Sequence, residues 1–391
     1  MPSPSSAPTV VPAVPAPPVE QASVAPPVQP FPPGPSAAAR VPGVPKSEVR
    51  AALLLPLSGP QAPTGQALSN AAQLALFEIA DSRFSLIPLD TKGTAEGAVA
   101  ATQQALAQGA DIILGPLFSF EVRAAAPLAR EQAIPMLAFT TDRSVAGTGI
   151  YAMGFLPGPQ VARVLAHARD QGRTRIGVLA RSDDYGRAVA EAAKDSIAAL
   201  GLELVALEYY DPAATDFTQV VKRFTARKTT AFDAILLPDD GVRLRNIASL
   251  LSYFLSEGAG PDYKPVKLLG TLLWDDPRLA NEPALDGGWY PAPPSAGHRE
   301  FEQRYGKAFG PLPPRAGGVA GIAYDVTALA AALARNGLGE YGSATLQNPN
   351  GFAGVDGIFR LLPSGIAERG LTVRQIAPQG SHEVSPAPAA F

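Results

Sequence analysis

The side chains able to do chemistry in this chain cluster just after short apolar runs, where strands of a parallel sheet end. Ser119 follows the strand-like run 111–114 and the Gly115-Pro116 break, and it opens a helical segment. The first turn of a helix offers unpaired N–H groups and a partial positive charge, so a carboxylate or other anion can dock beside Ser119. A serine there equally suits a plain helix cap. Thr140 and Thr141 follow the strand-like run 135–139 at the same predicted edge. Their hydroxyls either complete a carboxylate site or close a local turn with Asp142, whose own charge disfavours a carboxylate ligand. Glu121 suits the helix dipole but repels an anion if it faces the ligand. Later in the chain, Asp239, Asp240, Trp274 and Asp275 also end strand-like runs. Hydroxyl and amide donors facing acidic groups suit a zwitterion.

Covalent and metal chemistry find little footing. The chain has no cysteine, which removes disulfides, thiolate metal sites and cysteine nucleophiles together. His167, His298 and His382 fall in unrelated contexts and are expected at the surface. No HExxH, GxSxG or phosphate-loop motif occurs, and the spaced glycines around Gly147 lack a strand leading into a helix. The adjacent acids Asp183-Asp184 and Asp275-Asp276 read as solvated turns. The expectation is a non-enzymatic protein without cofactor or metal.

The elements that must position these groups alternate β with α. Residues 51–55 form a short continuous apolar run, the pattern of a strand covered on both faces. Residues 58–63 then turn and are expected to form one rim of a ligand mouth, and Thr64 is a candidate N-cap for the helix that follows. Strand-like runs at 84–90, 111–114 and 135–139 alternate with helical periodicity at 94–108 and 119–132. A second series runs from 158 to 270. Chains of βαβ units build parallel sheets with helices on both faces, and ligands bind at the carboxyl ends of the strands. The 345 residues beyond position 46 exceed the ~250–300 at which one core usually splits, so two lobes are expected.

Residues 1–46 hold 15 of the 41 prolines and only Glu20, Arg40 and Lys46 as charges. They are expected to be a disordered, extended leader, either inert or serving as a stalk. A net charge of -3 without a basic run excludes a nucleic-acid footprint. No apolar run approaches the ~18 residues of a membrane span. The leader lacks the basic and apolar parts of an export signal, leaving a trimmed upstream signal and a cytoplasmic location both open.

In order along the chain, LLLPLSG, TGQALSNAAQLAL, DIILGPLFS, IPMLAFTTDRSVAG, YAMGF, DDYGRAV and GVDGIFRL occur. This set resembles the type I periplasmic-binding proteins, the Leu/Ile/Val-receptor group, over residues 48–384, and is most similar to the branch known as penicillin-binding protein activators. The resemblance implies an α/β fold of two doubly wound lobes: 47–153 with 291–349, and 154–290 with 350–384, leaving 385–391 as a tail. It implies three hinge crossovers, near 150–155, 289–293 and 350–356. It further implies that Ser119 contacts a ligand carboxylate and that Tyr185 lines the cleft. The receptors' ammonium site falls near GTLLWDD, where Leu and Trp stand in the nearest positions. Asp275 then substitutes, or Trp274 stacks a sugar or cell-wall fragment, or the site is lost. The implied function is that of an activator-like protein binding a small polar ligand, a peptidoglycan synthase, or both. The alternative is a receptor delivering an amino acid or similar solute to an ABC permease. Either implies a periplasmic location, with or without a lipid anchor.

Overall fold

Continuous burial marks the first strand, β1 (Val49–Leu55), in which every residue but Arg50 is buried. The computed structural model describes residues 48–226, 232–257, 265–313, 316–337 and 340–391; the Pro-rich leader lies outside the described residues. The chain continues through α1 (Ala62–Ile79), β2 (Phe84–Asp90), α2 (Ala95–Ala107), β3 (Ile112–Leu114), α3 (Ser119–Glu131), β4 (Met136–Ala138) and β5 (Ile150–Ala152). All five strands pair in parallel in the order β2-β1-β3-β4-β5. One face of the sheet packs Ala52, Leu54 and Ile113 against alanines of α2 and α3. The other face packs Leu53, Leu55 and Leu114 against α1 and later helices.

α1 starts earlier than the sequence suggests. Its N-cap is Gln61 and Pro63 sits in its first turn, which needs no N–H there, so Thr64 is inside the helix. A Cβ on Gly65 would fall 2.1 Å from the Pro56 carbonyl oxygen. Only glycine lets this helix settle onto the end of β1.

The second series is α4 (Pro157–Asp170), β6 (Arg175–Arg181), α5 (Asp184–Leu200), β7 (Glu203–Tyr210), α6 (Thr218–Thr225), β8 (Ala234–Leu236), α7 (Gly241–Ser256), β9 (Lys267–Leu269) and β10 (Trp289–Ala292). The strands order as β7-β6-β8-β9-β10, the same winding as the first sheet. The chain then forms α8 (Ser295–Phe309), α9 (Gly317–Gly337) and α10 (Ser343–Leu346), followed by β11 (Phe352–Gly354), β12 (Gly357–Leu361), β13 (Ala367–Arg369), β14 (Thr372–Gln375) and β15 (His382–Ser385). β14 joins β10 antiparallel and β15 joins β14, extending the second sheet to seven strands. α9 carries an 18-residue window, Gly318–Arg335, apolar enough by composition to span a membrane, which corrects the expectation of no such run. That window is 67% buried in the core, where Ile322, Val326 and Ala330 share a cluster with Leu68 and Ala72 of α1.

The chain passes between the sheets three times. It leaves β5 through Met153 and Leu156 into α4, and leaves β10 through Pro293 and Pro294 into α8. The third passage, expected near 350–356, lies at Gly370 and Leu371 instead. The reason is hydrophobic: Phe359, Leu361 and Ala367 of the hairpin sheet β11-β12-β13 belong to the core of the first lobe. Residues 385–391 are no free tail either. Arg163 of α4 donates to the Ser385 hydroxyl at 2.7 Å and the Pro386 carbonyl at 2.9 Å, and the Arg360 guanidinium lies 4.6 Å from the Phe391 ring.

A buried polar cluster gathers where these passages meet. Arg369 is 5% exposed, donates through Nη2 to the Met153 carbonyl at 3.0 Å, and lies over the rings of Phe155 and Phe359. It faces the Asp325 carboxylate at 3.7 Å. Asp356, also buried, meets His298 Nδ1 at 2.6 Å. His298 is therefore half-buried and partnered, and His167 is no surface residue at all, being buried edge-on to Trp289. His382 is exposed.

Candidate functional site

Both sheets turn their strand ends toward a cavity of about 590 Å³. Parallel α/β sheets open such crevices because the loops after successive strands diverge there. From the first lobe, Ser119 and Arg123 of α3 and Thr141–Ser144 after β4 line it. Leu156 and residues 157–159 at the start of α4 form its back. Asp184, Tyr185, Ala188 and Ala192 line it from α5, and Ile366 from the hairpin sheet completes it. The Ser58–Pro63 loop, expected as a rim, contributes none of the described lining residues. Ser58 is instead tied to Asp90, donating from its hydroxyl at 2.6 Å.

Of the candidate ligand contacts read from the sequence, the cavity brings together Ser119, Thr141 and Tyr185, with the acids Asp142 and Asp184 also in its lining. Ser119 is the first residue of α3, whose N-cap is Phe118. Glu121 turns inward, accepting from the Thr91 hydroxyl at 2.5 Å and the Phe118 N–H at 3.0 Å, so its charge does not face the ligand space. Burial pushes its carboxyl above the usual range despite those bonds. Tyr185 exchanges a hydrogen bond with the Thr271 hydroxyl at 2.8 Å, and Arg181 lies over its ring at 5.1 Å. Burial raises its phenol to about 12, so it stays a neutral hydroxyl at physiological pH. A Cβ on Gly186 would fall 2.1 Å from the Arg181 carbonyl oxygen. The close seating of α5 on β6 therefore fixes how far Tyr185 reaches.

The others stand elsewhere. Thr140 is buried, and its hydroxyl accepts from the Asp142 N–H at 3.1 Å, a local turn. Asp239 is fully buried and consumed within its own lobe: it accepts from Arg243 Nε and Nη2, each at 2.9 Å, and from the Tyr210 hydroxyl at 2.5 Å. Asp240 is outside the lining, 54% exposed and 3.9 Å from Arg243. Asp275 accepts from the Tyr290 hydroxyl at 3.0 Å and pairs with Arg374 at 3.6 Å.

Trp274 corrects the stacking expectation. It is fully buried, packed between Gly270 and Gly288, each of which would place a Cβ against its ring. A ring with no exposed face cannot stack a ligand. Trp274→Phe is expected to cost about 1–2 kcal/mol of unfolding free energy, from lost core volume. Urea denaturation checks this, and a loss under about 0.5 kcal/mol would mean the ring is not core.

Sequence reading missed Arg123, Arg143 and Ser144. Arg123 is four residues beyond Ser119, hence on the same helix face, and that spacing was a usable signal. Asp184, Ala188 and Ala192 share a face of α5 by the same four-residue rule. The lining thus carries hydroxyls, two guanidiniums and two carboxylates above an apolar back of Leu156, Pro157, Pro159 and Ile366. Such a surface suits noncovalent capture of a small organic molecule with both polar and apolar parts. No group of three or more candidate metal ligands occurs among the described residues.

Comparison with known proteins gives the same architecture. A protein of Rickettsia prowazekii without characterised function is 21% identical over 222 residues, and the match covers 55% of this chain and 59% of that relative's length. The solved structure of a branched-chain amino acid ABC transporter protein from Rhodospirillum rubrum superposes with a TM-score of 0.71 at 19% identity, covering 86% of this chain and 100% of that one. A solute-binding protein of an ABC transporter from R. palustris, in complex with benzoate, gives 0.58 at 19% identity, covering 88% and 97%. At these identities the likeness shows a shared fold. The family model for periplasmic binding proteins matches residues 48–380, and on that match the chain belongs to the periplasmic binding protein family.

Proposed function

We propose that this protein is an extracytoplasmic solute receptor that closes its two lobes on a small organic molecule and presents it to an ABC permease. The observation that carries this reading is the cavity of about 590 Å³, lined from both lobes and from the hairpin sheet that precedes the third crossover. A volume of this order suits a small-molecule site. Because its walls belong to different lobes, a bound solute gains contacts as they approach, and hinge closure follows from differential affinity for the closed state. The two solved structures described above are similar in fold and are named for ABC transport or solute binding. None of them names a peptidoglycan synthase, so the activator reading rests on motif resemblance and stands second.

Thermal melting against a panel of amino acids, aromatic acids and their amides, sugars and cell-wall fragments tests the receptor reading. One compound class is expected to raise the melting temperature, with about 2.7 kcal/mol of stabilisation at a hundredfold excess over Kd. Ala188→Trp, which fills the cavity from α5, should abolish that response without lowering the melting temperature of the free protein. Silence across the panel, or an unchanged response in Ala188→Trp, would sink the reading.

A further inference from the structure

The first-lobe wall of the cavity is built to attract an anion, yet a carboxylate of the chain itself already occupies it. Three features make that corner anion-seeking: the first turn of α3 beginning at Ser119, the Arg123 guanidinium one turn on, and the backbone N–H of Ser144. The Asp142 side chain engages the guanidinium and the Ser144 N–H and lies beside the first turn of α3. It accepts from the Ser144 N–H at 2.9 Å and from Arg123 Nη2 at 3.2 Å. Its own N–H is held by the Thr140 hydroxyl at 3.1 Å, which fixes the turn that aims it.

Partial burial opposes the charge on Asp142, but the hydrogen bonds from Ser144, then Arg123 and Ser119, outweigh it and hold the carboxyl below its usual range. It is therefore ionised at any physiological pH. A second carboxylate brought to the same corner would meet a like charge at close range and compete with Asp142 for the Arg123 guanidinium and the Ser144 N–H. The other acid in the lining, Asp184, is drawn to Arg187 at 2.8 Å and leaves this corner to Asp142.

Resting on the receptor reading above, we propose that Asp142 is a specificity-determining residue. It stands in for a ligand carboxylate, so the solute presents an uncharged donor group, such as a carboxamide or a hydroxyl, to the first-lobe wall. Leucine, leucinamide, benzoate and benzamide form two acid–amide pairs that differ at the group in question. Isothermal titration of the full chain with each, before and after Asp142→Asn, tests the proposal. Asparagine keeps an acceptor for the Ser144 N–H, so the turn survives, and Asp142→Ala serves as a second variant.

The expected result is that the wild-type protein favours the amide of a pair, and that Asp142→Asn or Asp142→Ala binds the acid at least tenfold more tightly than wild type does. Wild-type protein that prefers the acids, or variants whose preference is unchanged, would overturn the proposal while leaving the receptor reading intact. Absence of binding of all four to both variants also overturns it, since removing the blocking charge should admit the acids. In that case the broader melting panel decides separately whether the cleft binds solutes.

Discussion

Replacing Arg369 by alanine is expected to lower the unfolding free energy, measured above pH 7 where Asp325 is ionised, by about 3–5 kcal/mol, because a buried charge pair broken from one side leaves an uncompensated ion. The arginine is enclosed by Asp325, the Met153 carbonyl and the rings of Phe155 and Phe359, with its side chain 2% exposed. Its loss would leave Asp325 without its cation, next to an Asp356 whose remaining partner is His298. The pair itself is loose at 3.7 Å, so the cost comes from the orphaned Asp325 carboxylate rather than from lost attraction. Arg369→Met, which keeps the apolar stem, should be nearly as damaging. Equilibrium urea denaturation measures both, and a loss below about 1 kcal/mol in Arg369→Ala would show that solvent reaches the cluster.

The second large effect is on pH dependence. Burial, and next the charge of Asp356, push the Asp325 carboxyl up to about 7, against the lowering by Arg369 and by backbone N–H groups. An unfolded aspartate titrates near 3.9. Between these values the native state holds a proton that the unfolded state has lost, so stability falls as pH rises through that window. The fall is of the order of 2–4 kcal/mol and is complete above the folded value. His298 adds to the same trend: its bond to Asp356 raises its folded value, despite burial, giving stability below about 6.5 that is lost as pH passes that raised value. Asp325→Asn should flatten the slope between pH 4 and 7 while leaving the later His298 part. Denaturation midpoints across that range decide it, and an unchanged slope would rule Asp325 out as the source.

Both effects centre on Asp325 and Arg369, which the sequence did not single out. Asp325 and Arg369 lie 44 positions apart in sequence, one in an apolar helix and the other at the end of a short strand. Nothing local distinguishes Asp325 from a solvated helical acid. Its role exists only because α9, β13 and the first crossover converge. The same holds at the cleft. Ser119, Thr141 and Tyr185 were legible as polar residues just beyond strands, and they meet at the cavity. Asp240, Trp274 and Asp275 carried the same local signal and do not, because a strand end says nothing about which neighbour will claim a side chain. Asp239 was claimed by Arg243 and Tyr210, Asp275 by Tyr290 and Arg374, and Trp274 by the core.

By itself the sequence determined the alternation of strands and helices, the two doubly wound sheets and the strand-end edge at which the cavity opens. Those follow from local periodicity and turn chemistry, which act over a few residues. Only the tertiary structure decided where the third crossover falls, that residues 385–391 pack back on the body, and that Asp142 fills an anion-attracting corner. Those outcomes are contests among groups distant in the chain, settled by burial and by which donor reaches which acceptor first.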